Sequence, residues 1–83
     1  MNETDAKCIV CSAWEALRYL GEEYEVEVTI TTKDETSVHR ETSVAYYKDY
    51  KMVFLHRWQF GDTIDSFLEG FNARINSLFN LEA

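Results

Sequence analysis

The sequence predicts an α+β fold: one domain of order α-β-β-β-α, with a three-stranded antiparallel sheet carrying both helices on one face. Three observations predict it. Apolar residues recur every three or four positions near both ends of the chain, they alternate with polar ones in between, and 83 residues suffice for a single core spanning positions 1–83.

The first helix is expected to start at Thr4 or Asp5 as N-cap. Ile9, Val10, Ala13, Trp14, Ala16, Leu17 and Leu20 then form its apolar stripe, and Gly21 ends it in the left-handed conformation. From Tyr24 to Thr32 the period changes to two, with Tyr24, Val26, Val28 and Ile30 on one face and Glu25, Glu27, Thr29 and Thr31 on the other. After the polar stretch 33–37, which lacks the glycine of a tight two-residue turn, Val38, Thr42, Val44 and Tyr46 share a face interrupted by Arg40. A second reversal at Lys48-Asp49-Tyr50 leads into a strand from Lys51 to Phe60. Met52, Phe54, Trp58 and Phe60 alternate there with Val53, Leu55 and Arg57, so apolar groups fall on both faces and one face must be covered separately or left for a partner. The last helix is capped by Asp62 and striped by Ile64, Phe67, Leu68, Phe71, Ile75, Leu78 and Phe79. Gly70 inside it costs about 1 kcal/mol relative to alanine, which points to a close approach to another element or to simple tolerance. The free sheet face should display Glu25, Glu27, Thr29 and Thr31 beside His39, Glu41, Ser43 and Tyr47.

Fifteen acidic against eight basic side chains give a net charge of −7, and 46% of residues are hydrophobic, a composition of ordered domains rather than acidic tails. The charge is uneven. Residues 1–35 hold nine acids and three bases (−6), residues 36–57 two acids and four bases (+2), and residues 58–83 four acids and one base (−3). No apolar run reaches the roughly 20 residues of a membrane span and the first seven residues are not a basic signal region, so a cytoplasmic protein is expected. Cys8 and Cys11 are too few for a disulfide framework and read as reduced, partly buried helix-side residues.

An acidic surface built from Glu22, Glu23, Glu25, Glu27, Asp34 and Glu35 would attract a basic groove of the kind that holds nucleic acid, and would speed encounter by steering. Such acidic faces also simply keep small proteins soluble. Tyr47 and Tyr50, within the aromatic and basic run 46–51, suit burial in a protein interface, or closure of the sheet edge; the negative surroundings disfavour phosphate. Double-stranded-RNA-binding domains share the element order, but they start their last helix with lysines, and here Gly61-Asp62-Thr63-Ile64-Asp65 stands instead. A zinc site would need His39 and His56 to converge on Cys8 and Cys11 from separated elements, and the strand that precedes a redox C-x-x-C is missing, so no metal or cofactor is expected. No nucleophile beside a base, paired carboxylates or phosphate-cradling loop is present. His56 reads as a structural or surface histidine, and the chain as non-enzymatic.

In size, acidity and element order, with the acidic run Glu22-Glu23-Tyr24-Glu25-Val26-Glu27, the chain resembles small phage-encoded inhibitors of bacterial defence such as anti-CRISPR proteins. The resemblance implies a protein partner, a host complex whose basic nucleic-acid-binding surface is occupied and blocked. It transfers no functional residue. The alternative is a structural subunit or homodimer that buries the second apolar face of the third strand, with direct nucleic-acid binding a distant third.

Overall fold

A computed structural model of the chain describes residues 3–21, 23–30, 42–59 and 61–80. The elements follow the expected order: α1 (Glu3–Leu20), β1 (Tyr24–Thr29), β2 (Ser43–Lys48), β3 (Lys51–Arg57) and α2 (Ile64–Asn80). The strands form one antiparallel sheet in the order β1-β2-β3. The first hairpin loop, with Asp34, Glu35, Val38, His39, Arg40 and Glu41, lies outside the described residues, as do Glu22, Thr31 and Phe60.

α1 begins earlier than expected. Thr4 and Asp5 sit inside its first turn rather than at the cap, where Glu3 and Asp5 oppose the positive helix end and Arg18 lies near the negative one. Gly21 ends the helix as its sequence position suggests, with φ +96° and its N–H bonded to the Leu17 carbonyl at 3.0 Å. The apolar stripe is narrower than the sequence implies. Ile9, Ala13 and Ala16 are buried, whereas Val10 and Trp14 face outward and Trp14 is 58% exposed. Cys8 and Cys11 are likewise exposed rather than partly buried.

Val26, Tyr46 and Phe54 stand opposite one another across the sheet, and so do Val28, Val44 and His56. These residues supply the core face, so the period-two reading of β1 and β2 holds. In β3 it fails at one point. Tyr46 pairs with Phe54 but Tyr47 pairs with Met52, leaving Val53 as an extra residue in a β-bulge. One added residue reverses side-chain parity, so Met52 leaves the face it would share with Phe54. Met52 and Val53 are 50% and 44% exposed.

One cluster joins all elements: Ile9, Ala13 and Ala16 of α1 and Phe67, Phe71 and Ile75 of α2 meet Val44, Tyr46 and Phe54 of the sheet. Tyr46 sits at its centre. Its hydroxyl donates to the Ala13 carbonyl at 2.6 Å, and its ring packs 5.6 Å from Phe54 and 6.3 Å from Phe71. Burial pushes this phenol well above the usual tyrosine pKa.

The cap of α2 is Thr63, one residue later than expected. Thr63 Oγ1 accepts the Ser66 N–H at 3.2 Å and Ser66 Oγ accepts the Thr63 N–H at 2.8 Å, a reciprocal capping box. Asp62 serves outside the helix, accepting the Ser66 hydroxyl at 2.9 Å and the Gln59 N–H at 2.8 Å, and so pins the connection from β3.

Candidate acidic and aromatic surface

Alternation along β1 sends Glu25 and Glu27 to the sheet face opposite the core, about 6.8 Å apart as residues two positions along a strand must be. Both carboxylates are exposed, and among the described residues neither forms an ion pair. Glu25 stands opposite Tyr47 and Glu27 opposite Ala45. The Tyr47 hydroxyl points at Glu27 Oε1 across 3.5 Å, too long for a strong hydrogen bond, and leaves the carboxylate open to a partner.

Glu23 behaves differently from its neighbours. It pairs with Lys48 at 3.2 Å, and Lys48 lies 5.3 Å from the centre of the Tyr24 ring. The hydrogen bond to Glu23 is the largest influence holding the Lys48 ammonium above the usual lysine pKa, with the charges of Tyr24 and Glu23 next. Glu23, still exposed, is therefore partly neutralised within the fold.

Tyr50 lies at the tip of the β2-β3 hairpin, separated from the row of Glu25, Tyr47 and Met52 by the row of Tyr24, Lys48 and Lys51. Lys48 and Lys51 close the hairpin around a two-residue turn in which Asp49 has φ +53° and Tyr50 φ +64°. Positive φ at both central residues matches the right-handed twist of the strands and normally selects Asn-Gly or Asp-Gly. Tyrosine at the glycine position is strained, and its side chain, 98% exposed, gains almost no contact within the fold in return.

The structure thus brings Glu25, Glu27 and Tyr47 together, places Tyr50 in the hairpin turn beyond their rows and pairs Glu23 with Lys48. The remaining described carboxylates are distributed over the turn and both helices, with Glu3 paired to Lys7 at 3.7 Å and Asp62 engaged at the α2 cap. Glu22, Asp34 and Glu35 lie outside the described residues.

His56 does not approach the cysteines. It is buried, its ring 4.7 Å from that of Phe67, with Nε2 3.0 Å from the Phe67 carbonyl and Nδ1 3.3 Å from Arg74 Nη1. A carbonyl can only accept and a guanidinium can only donate, so these partners assign the neutral tautomer with the proton on Nε2. Burial is the main cause that lowers the His56 pKa, reinforced by the Arg74 charge. A Cβ on Gly70 would lie 3.2 Å from His56 Cε1, so the close approach suggested by that glycine exists. Among the described residues no three of His, Cys, Asp and Glu gather as a metal site.

Arg74 has a role that sequence reading missed. Its Nη1 donates to the Leu55 carbonyl at 2.6 Å and its guanidinium lies 4.9 Å from the centre of the Phe54 ring. It thereby satisfies a backbone acceptor on the edge strand β3. Being the single base of the acidic segment 58–83 was its only trace in the sequence.

Comparison with known proteins yields no match, whether to family models, to curated proteins or to solved structures.

Proposed function

We propose that this protein is a non-enzymatic inhibitor or binding protein, acting in the manner of anti-CRISPR proteins on a basic nucleic-acid-binding surface of a host protein complex. The observation that supports the reading most is the pair of exposed carboxylates, Glu25 and Glu27, on an open sheet face beside Tyr47, neither in an ion pair among the described residues. Carried on a strand, they present negative charge from a backbone that is already ordered, so binding has only their side chains left to fix. Tyr50, exposed at the hairpin tip, supplies an aromatic anchor. Charge then sets encounter rate and orientation, and the aromatic rings set residence time. The acting compartment in this reading is the cytoplasm of the host cell; no helix among the described residues is long and apolar enough to cross a membrane.

The test is capture of the partner from host lysate, followed by association kinetics of the Glu25→Lys/Glu27→Lys variant at low and high salt. Association should slow more at low salt, and duplex nucleic acid should compete with the protein for the captured complex. Equal rates at both salt concentrations, or capture indifferent to nucleic acid, would remove the basis for charge mimicry.

A second reading rests on the exposure of Met52 and Val53, which with Leu55, Arg74 and Leu78 border an open groove between β3 and α2. A homodimer would cover them. A mass that rises with concentration in sedimentation would favour this subunit role, and a monomer at all concentrations the inhibitor.

A further inference from the structure

Cysteine is among the residue types most often buried, yet Cys8 and Cys11 are both exposed and both outside the core cluster. They lie three positions apart within the continuous helix α1, so one turn presents two thiols to solvent on the same side. Helix geometry limits what such a pair can do. A rise of about 1.5 Å per residue on a radius of about 2.3 Å puts their Cα atoms about 5 Å apart, and Cβ atoms at this spacing are about 5–6 Å apart. A disulfide needs Cβ atoms at about 3.5–4.5 Å, so closing one would draw the turn together by about 1 Å and strain it.

A metal ion between the sulfurs asks for less closure than a disulfide, whose sulfurs must come within about 2.05 Å. Two roughly collinear bonds of about 2.3 Å, the usual metal–thiolate length, span about 4.6 Å. The donor set also selects the ion. Thiolates are soft, and no third His, Cys, Asp or Glu joins the pair among the described residues. Zinc would have half of its tetrahedral shell left to water, whereas a soft ion of coordination number two is satisfied. A net charge of −7 adds a field that attracts cations.

We propose that Cys8 and Cys11 form a bidentate thiolate site for a soft monovalent metal ion, with Cu(I) as its chemical type. On binding, both S–H bonds break, two metal–sulfur bonds form and two protons pass to solvent, with no change of oxidation state. The site is independent of the acidic surface and of the inhibitor reading.

The experiment is an anaerobic titration of the full chain with Cu(I) delivered as a complex with a chromophoric chelator. One Cu(I) per chain is expected. Cys8→Ser and Cys11→Ser should each lower affinity by about 10²–10⁴, because the second thiolate acts at high effective concentration. Circular dichroism should stay unchanged, since both positions are exposed. Retained affinity in either single variant, one ion shared by two chains, or tighter binding of Zn²⁺ than of Cu(I) would overturn the proposal.

Discussion

Around His56, both ring nitrogens have partners, the Phe67 ring packs tilted against the imidazole and Gly70 makes room for it; around Tyr50, at the other end of β3, an aromatic side chain stands in water on a backbone that resists it. The two regions teach how this small chain divides its residues. At the β3-α2 seam, polar groups and rings are arranged so that buried atoms are satisfied, which favours the folded state. At the hairpin tip and along β1, Tyr50, Glu25 and Glu27 contribute little to folding, and Tyr50 works against it. Residues that stabilise nothing internally are the ones available to a partner.

The contrast can be broken most severely at the seam. Phe71 touches Tyr46, Phe54 and His56, and Phe71→Ala should cost about 3–5 kcal/mol in urea unfolding. A loss below about 1 kcal/mol would mean that the seam is not the centre of stability.

Gly70→Ala is a finer probe of the same place. Alanine gains about 1 kcal/mol in helix propensity, but its Cβ would press on a ring clamped by Phe67 and Arg74, and overpacking costs about 1–3 kcal/mol. A net destabilisation is expected; stabilisation would show that the ring can yield.

The seam should also be sensitive to acid. The folded-state pKa of His56 is lowered, so between that value and the unfolded value of about 6.5 the unfolded chain binds more protons. The stability contributed by neutral His56 is therefore complete above about pH 6.5 and is lost as pH falls through this window. An NMR titration of the ring in the folded protein checks the sign, and a pKa above 6.5 would contradict it.

The smallest effect has the opposite sign. Tyr50→Gly relieves a left-handed backbone that costs about 1–2 kcal/mol, less the greater entropy of glycine in the unfolded chain, for a net gain of about 0.5–1 kcal/mol. The same variant should bind the captured partner more weakly. A variant that is both more stable and equally tight would take Tyr50 out of the interface.

Part of the candidate surface was legible because strand periodicity is local: once Tyr24 to Thr29 alternates, Glu25 and Glu27 must share a face. Tyr50 was legible as an aromatic at a strand turn, but not as a strained one, since Asp49-Tyr50 carries none of the glycine that announces this turn. The ion pair of Glu23 with Lys48 was not legible because Lys48 comes from β2, and the pairing depends on register.

The sequence alone determined the order of helices and strands, the stop at Gly21, the core face of β1 and β2, and the stripe of α2. Each follows from steric preferences and from repeats within a few residues of one another. The tertiary structure decided the rest: the bulge at Val53 that turns Met52 outward, the outward position of Trp14, and the meeting of His56, Gly70 and Arg74. These depend on how one element's surface fits another's. Close packing tolerates a single residue of register shift or a single missing Cβ differently at every contact, and spacing along one chain carries no record of that fit.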